Sequence, residues 1–425
     1  MESVRSAVGN WDDTLPWQRN SKNAGSICVG SPRRRLYILH KLPTPYNDLF
    51  FRALDGDPEI DLRVYHLWRG SWRRPWKAKL GTGYSNTYVR TRLGVDWGFL
   101  GTALRDRESV CLVADWAHTA SVMILLARYL RSAPSAIWAD TPQEHLRRPV
   151  LKKWLRERFL GWLLPRTNLI FASGEAARAA LMRMGARSEQ LITLPLFVDL
   201  TRPIEAAREH GAREEARKLR SQVGCGESGT VFSMIGTLVL EKKGQDIGLE
   251  AFAMCRQRTS MRIGLMVVGE GPDRPILEKR VKELGLRESV AFLGWREPDE
   301  MEAVYLATDA VIHPARYDPW PLTVPEAMSW STVIIGSDTC GSILDRVQHG
   351  VNGFSFAAGL VEELAGILVN LSNHPEQLRC IGRQARVTAE QWPVTLGVSI
   401  VKSAIKRLLP SSDRGEVCTL EVRAR

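Results

Sequence analysis

The run His313-Pro-Ala-Arg-Tyr-Asp318-Pro-Trp-Pro-Leu-Thr-Val-Pro-Glu326-Ala-Met328 sets two carboxylates eight positions apart around a loop that ends in a helix. Pro319, Trp320 and Pro321 preclude regular structure directly after Asp318. Pro325-Glu326-Ala327-Met328, by contrast, has a proline and an acid where a first helical turn favours them. The N–H groups of a helix start point outward and favour anions. The pattern therefore suits a phosphorylated ligand, with acids binding hydroxyls and amides taking phosphate.

The surrounding sequence alternates short apolar runs with segments of helical length. Around the opening stretch, strands are predicted at Thr230–Ile235, Ile263–Val268, Val290–Leu293, Ala310–His313 and Val333–Ser337. Toward the N-terminus they are predicted at Leu36–His40, Leu62–Leu67, Val110–Ala114, Ala136–Ala139, Leu169–Ala172 and Leu191–Leu196. A helix from about Leu49 to Leu54 follows the loop Pro43–Asp48. Such alternation predicts α/β architecture with parallel sheets and crossover helices. A chain of 425 residues exceeds one ordinary core, so two domains are expected. The boundaries read as a disordered leader over 1–33, an N-terminal Rossmann-like domain over 34–200 and a linker over 201–228 that includes a helix over about 205–220. A C-terminal Rossmann-like domain over 229–390, a crossover helix over 391–410 and a tail over 411–425 complete the chain.

The formal charge of +11 is unevenly spread. Residues 34–199 hold 26 Lys and Arg against 15 Asp and Glu, whereas residues 200–425 hold 28 against 29. The basic half is expected to meet an anionic partner such as a membrane surface or a phosphorylated acceptor. Seven cysteines lie singly, at 28, 111, 225, 255, 340, 380 and 418, with no C-x-x-C pair, so neither disulfides nor a zinc site is indicated. No apolar run reaches the roughly 18 residues a membrane span requires, and no secretory signal opens the chain. A cytoplasmic location is expected, with peripheral association at the cytoplasmic face of the membrane.

Two stretches of the basic half motivate that association. Residues 68–79 interleave three tryptophans with five cations. Residues 150–164 gather Val150, Leu151, Trp154, Leu155, Phe159 and Trp162 on one half of a helical wheel and Lys152, Lys153 and Arg156 on the other. Either a core helix or a membrane-surface helix fits this pattern. The chain shows no RNP, helix-turn-helix or zinc-finger signature, so nucleic acid is not an expected partner.

Further motifs lie at predicted strand ends. Gly236-Thr237-Leu-Val-Leu-Glu-Lys242-Lys243-Gly244 can hold a phosphate through its glycine turn and lysines, although it is no Walker A loop. Gly269-Glu-Gly-Pro272 begins like a dinucleotide fingerprint but lacks the third glycine, and reads as a tight turn near the cleft. Asp55-Gly-Asp57 is best read as turn chemistry. His118 follows a buried strand on the cleft side of the first domain, as a structural residue or a substrate contact.

Together these residues resemble a known family. Asp318-Pro-Trp-Pro-Leu322 through Glu326-Ala-Met328 looks like the E-x7-E motif of retaining GT-B glycosyltransferases of the "glycosyl transferases group 1" type. Val290–Gly294, Ala307–Ala310, Val333–Asp338 and Gly350–Phe354 stand around it in the family's order and spacing. The resemblance covers about 230–390, and more loosely 36–200, where Pro195–Asp199 is similar to the strand end before the linker. It implies a GT-B fold, two Rossmann-like domains facing across a cleft, and metal-independent transfer of a hexose-type sugar from a nucleotide diphosphate donor with retained configuration. The acceptor is expected to be lipid-linked or a polysaccharide precursor. By position, Asp318 would contact donor sugar hydroxyls and Glu326 the ribose; His118, as the substrate contact its place on the cleft side allows, is added to them as a catalytic candidate. Donor binding would fall to Gly236, Thr237, Lys242, Lys243, Gly269, Trp320, Pro321, Leu322 and Thr323. Neither cofactor nor metal is expected. The chain departs from the pattern where Asp318 shortens the usual Glu, Thr237 stands where Arg is frequent and Pro321 replaces a glycine N–H. The loop Leu42–Asp48 also lacks the glycine pair of many relatives. These departures keep a nucleotide-sugar hydrolase or epimerase, and a GT-B-like binding protein without catalysis, as alternatives.

Overall fold

The computed structural model describes residues 33–70, 76, 80–89, 95–114, 116–140 and 149–410. Apolar runs that alternate with helices must be covered on both faces, and parallel sheets flanked by helices satisfy that demand. The first sheet comprises β1 (Arg34–His40), β2 (Ile60–His66), β3 (Asn86–Tyr88), β4 (Ser109–Val113), β5 (Ser135–Ala139), β6 (Leu169–Ala172) and β7 (Leu191–Thr193), in the order β3-β2-β1-β4-β5-β6-β7. The second comprises β8 (Thr230–Ile235), β9 (Ile263–Val268), β10 (Val290–Gly294), β11 (Ala310–His313), β12 (Val333–Ser337) and β13 (Phe354–Phe356), in the order β10-β9-β8-β11-β12-β13. Neighbouring strands are parallel in both sheets. Strand order reverses at β1/β4 and at β8/β11, and doubly wound sheets open a ligand crevice at such points, beyond the carboxyl ends of the strands.

Local chemistry extends several elements beyond their predicted limits. The first helix begins at Pro45 rather than near Leu49, because Thr44 accepts a hydrogen bond from the Asn47 amide (3.3 Å) and Pro45 occupies the first helical turn. Arg128 is fully buried beside the first sheet. Its guanidinium donates to the carbonyls of Ala103 (3.1 Å), Asp106, Ser109 and Pro134, tying two helix ends to the starts of β4 and β5. Nothing in the local sequence marks that role.

The segment 201–228, expected as a linker with a helix over about 205–220, carries helices Arg202–Ala206 and His210–Gln222. The second buries Ala216 and Leu219 in a cluster with Met266, Ala303 and Val304, so it covers one face of the second sheet. Near the C-terminus, helix Val394–Leu408 buries Val398, Val401 and Ile405 against Phe50, Leu54 and Phe197 of the first sheet's core. Gly397 allows this close approach, since a Cβ there would collide with the Phe197 ring.

Helix Val150–Leu163 is not a core helix. Only Leu160 and Leu163 are buried, whereas Val150, Leu151, Trp154 and Leu155 are more than half exposed. Trp162 packs at 5.7 Å on Tyr129 of the preceding helix, with the Arg166 guanidinium 4.7 Å above the Trp162 ring. Among the described residues, no helix is long and apolar enough to cross a membrane. The predicted leader, apart from Arg33, the tail 411–425 and most of the tryptophan-rich stretch 68–79 lie outside the described residues.

Candidate active site

The chain leaves β8 and β11 at the switch point of the second sheet, and their following loops touch. Gly236 turns out of β8 with φ 142°. Its carbonyl lies so close to Gly269 that any side chain at 269 would collide with it, and the Leu238 amide donates to the Glu270 carbonyl (3.0 Å). The glycines at 236 and 269 therefore let two strand-end loops pack together. Gln245 donates to the Thr237 carbonyl (2.9 Å) and fixes the turn, while the Thr237 side chain is exposed. A short helix, Leu240–Lys243, ends at Gly244 in the left-handed region (φ 61°), where a Cβ would strike the Pro314 carbonyl.

Two further contacts hold the second loop against the first. Arg316 forms a two-pronged pair with Asp246 (2.7 and 2.6 Å), and the Tyr317 amide donates to the Lys242 carbonyl (3.2 Å). Lys243 thereby faces Asp318 and donates to its Oδ2, which also lies 3.1 Å from His313 Nε2. Lys242 points to solvent. Burial alone would raise the Asp318 carboxyl, but the His313 and Lys243 contacts outweigh it and hold the group down at about 2.

Helix Thr323–Ser329 begins two residues before the predicted start. The Glu326 amide is consequently bonded within the helix, to the Leu322 carbonyl (3.0 Å), and the half-buried Leu322 and Thr323 form its first turn. Glu326 Oε2 accepts from the Tyr305 hydroxyl (2.9 Å), whose ring stacks on Trp330 at 5.6 Å. Burial pushes the Glu326 carboxyl up to about 7 against the lowering effect of that hydrogen bond. Trp320 is 5 % exposed, and its indole N–H donates to Asp345 Oδ2 (2.8 Å). Pro321 is buried, and its carbonyl accepts from Ser342 (2.8 Å). His118 stands apart from this group on the first sheet, just before helix Thr119–Leu130 and after β4, edge-on to Trp68 with ring centroids 4.9 Å apart.

His313 and Tyr305 were not assigned roles from sequence. His313 could have been found as the last buried residue of a strand at the switch point; Tyr305, 21 positions before Glu326, carries no local signal.

Residues 215–388 match the family model described as glycosyl transferases group 1. This region is similar to that family. D-inositol 3-phosphate glycosyltransferase of Gordonia bronchialis is 29 % identical over 209 residues, 47 % of this chain and 44 % of the relative. Mannosylfructose-phosphate synthase of Agrobacterium fabrum is 30 % identical over 173 residues, 39 % of this chain and 37 % of the relative. The chain thus spans less than half the length of these two relatives. Across the whole fold, HepE of Anabaena, solved in complex with UDP, superposes with TM-score 0.70 at 18 % identity over 88 % of this chain and 100 % of that one. WaaG, a glycosyltransferase involved in lipopolysaccharide biosynthesis, gives 0.63 at 16 % identity over 88 % and 100 %. The architecture is GT-B, two Rossmann-like sheets facing across a cleft.

Proposed function

We propose that the protein transfers a hexose-type sugar from a nucleoside diphosphate sugar to an acceptor, with retained configuration and without a metal. The observation that carries this reading is the charged group Asp318–Lys243–His313 at the switch point of the group 1 region, with Glu326 on the next helix. In the proposed mechanism, Lys243 and His313 hold Asp318 Oδ2 and direct its other oxygen to a donor sugar hydroxyl. Glu326 accepts the ribose hydroxyls. The Leu322 and Thr323 turn, the Gly236 loop and Lys243 meet the diphosphate charge, because preorganised N–H groups and a cation favour the negative charge that grows on a leaving group. The bond between the anomeric carbon and the diphosphate oxygen breaks, and the acceptor oxygen bonds to that carbon on the same face. The acceptor proton goes to the departing diphosphate.

The acceptor is proposed to be lipid-linked or membrane-proximal. The basic first half supports this, as does the exposed apolar face of helix Val150–Leu163, where Leu151, Trp154 and Leu155 lie beside Lys152 and Lys153.

The test is product analysis of the purified chain with a panel of nucleoside diphosphate sugars, with and without candidate acceptors. The expected outcome is acceptor-dependent release of nucleoside diphosphate and a glycoside with the donor's anomeric configuration by NMR. Free sugar in equal yield with and without acceptor would instead identify a hydrolase. Inverted configuration would contradict retention.

A further inference from the structure

One acidic side chain outside the proposed donor contacts joins the two sheets. Asp345 lies near the end of helix Gly341–Arg346, which follows β12 in the second sheet. One carboxylate oxygen accepts from the Trp320 indole N–H at 2.8 Å. The other accepts from the backbone amide of Glu175 at 3.2 Å, the first residue of helix Glu175–Arg183 after β6 in the first sheet. Asp345 thus satisfies an otherwise unpaired N–H at a helix start of the opposite sheet, where negative charge is favoured. Gly174 is compressed against the same carboxylate: a Cβ on it would collide with Asp345 and with the Trp320 indole nitrogen. Next in sequence, Arg346 lies 5.8 Å from the Trp320 ring and 3.4 Å above the Trp392 ring, at the turn leading to the helix that crosses back to the first sheet.

We propose that Asp345 is a positioning residue, which ties the Asp318–Thr323 loop to the closed arrangement of the two sheets. Trp320 is two residues from Asp318 and cannot shift without disturbing it, while Asp345 fixes Trp320 and the first sheet with a single carboxylate. Opening the cleft breaks the Glu175 contact and frees Asp345, so the geometry of the donor loop and closure are coupled. The inference rests on the proposed transferase reading for its consequence in catalysis, but not for its structural content.

The test uses the full chain with Asp345→Ala, Asp345→Asn, Gly174→Ala and the Asp345→Ala/Gly174→Ala double variant. Hydrogen exchange is read on peptides covering 169–181, and the radius of gyration by small-angle scattering. In Asp345→Ala, exchange at the start of helix Glu175–Arg183 should rise at least tenfold and the particle should expand, with distant peptides of both sheets unchanged. Asp345→Asn, which keeps an acceptor oxygen, should recover most of the protection. Gly174→Ala should open the particle by itself. Because the closest of these collisions disappears with the Asp345 side chain and only the Trp320 indole nitrogen remains in the way, the double variant should lose clearly less than the sum of the two single losses, a non-additivity expected only of residues in contact. Where transfer is measurable, Asp345→Ala should lower kcat/KM at least tenfold, and Asp345→Asn should recover most of that loss. Unchanged exchange and size in Asp345→Ala, or additive losses in the double variant, would overturn the proposal. A chain that shows these structural effects without any transfer would overturn only the transferase reading.

Discussion

Asp318 and Glu326 stand eight residues apart, yet their surroundings drive their carboxyl groups in opposite directions. Asp318 is held ionised at about 2 by His313 and Lys243, and Glu326 is raised by burial to about 7. A group raised in the free protein favours its neutral form, whereas ribose hydroxyls donate best to the ionised one. Affinity for a nucleotide sugar should therefore climb as pH rises from 6 toward 7 and level off above it, by up to about tenfold per unit. In Glu326→Gln the pH dependence should vanish, as titration calorimetry would show. The two adjacent lysines also separate at this scale. Lys243→Ala leaves a buried carboxylate with only His313, so transfer should fall by about two orders of magnitude, in line with the loss of a positioned charge-assisted contact. Lys242→Ala, at an exposed side chain, should stay within about twofold in steady-state rates and about 0.5 kcal/mol in stability. Sequence assigns donor binding to both lysines because spacing cannot say which faces inward. Gly244, in the left-handed region and pressed on Pro314, determines that choice.

Elements were legible where periodicity and turn chemistry agree. The central strands read as continuous Val/Ile/Leu runs because both faces are covered. Strands β3 and β13, three residues each, leave no pattern, whereas the equally short β7 reads as a strand because Leu194 and Leu196 prolong its apolar run. The amphipathic run 150–164 was legible as a helix, but periodicity alone cannot tell whether an apolar face meets the core or lies outside. The structure puts most of that face outside. Full-length protein should sediment with anionic vesicles at low salt and much less with zwitterionic ones. Leu151→Ser/Trp154→Ser should abolish sedimentation without lowering thermal stability, since both side chains are more than half exposed. Absence of vesicle binding by the unaltered chain would rule out the membrane proposal. Arg128 marks the opposite limit, a buried cation whose partners are all backbone carbonyls and hence carry no side-chain signal. Arg128→Met leaves the Ala103 and Ser109 carbonyls without that donor, while the Asp106 carbonyl keeps the Ser109 hydroxyl and the Pro134 carbonyl the Cys111 amide. At roughly 1–3 kcal/mol for each group that loses its partner, a loss of at least about 2 kcal/mol is expected from the denaturation midpoint. A midpoint unchanged within error would contradict the role assigned to it.

At the scale of the molecule, alternating strands and helices foretold two parallel sheets, and the strand orders place both switch points on carboxyl edges. What joins those edges could not be foretold, because Glu175 and Asp345 are 170 residues apart and share no motif. The group 1 region is proposed to grip a nucleotide diphosphate sugar through the Lys243–Asp318 pair and Glu326. The most direct measurement is titration calorimetry of the full chain with a panel of nucleoside diphosphate sugars, repeated on Glu326→Ala, Lys243→Ala and Lys242→Ala. Binding of one donor class is predicted, weakened about tenfold or more in the first two variants, consistent with roughly 1.5–3 kcal/mol for hydrogen bonds to a charged group, and unaltered in the third. Absence of binding across the panel, or equal affinity in Glu326→Ala, would contradict it.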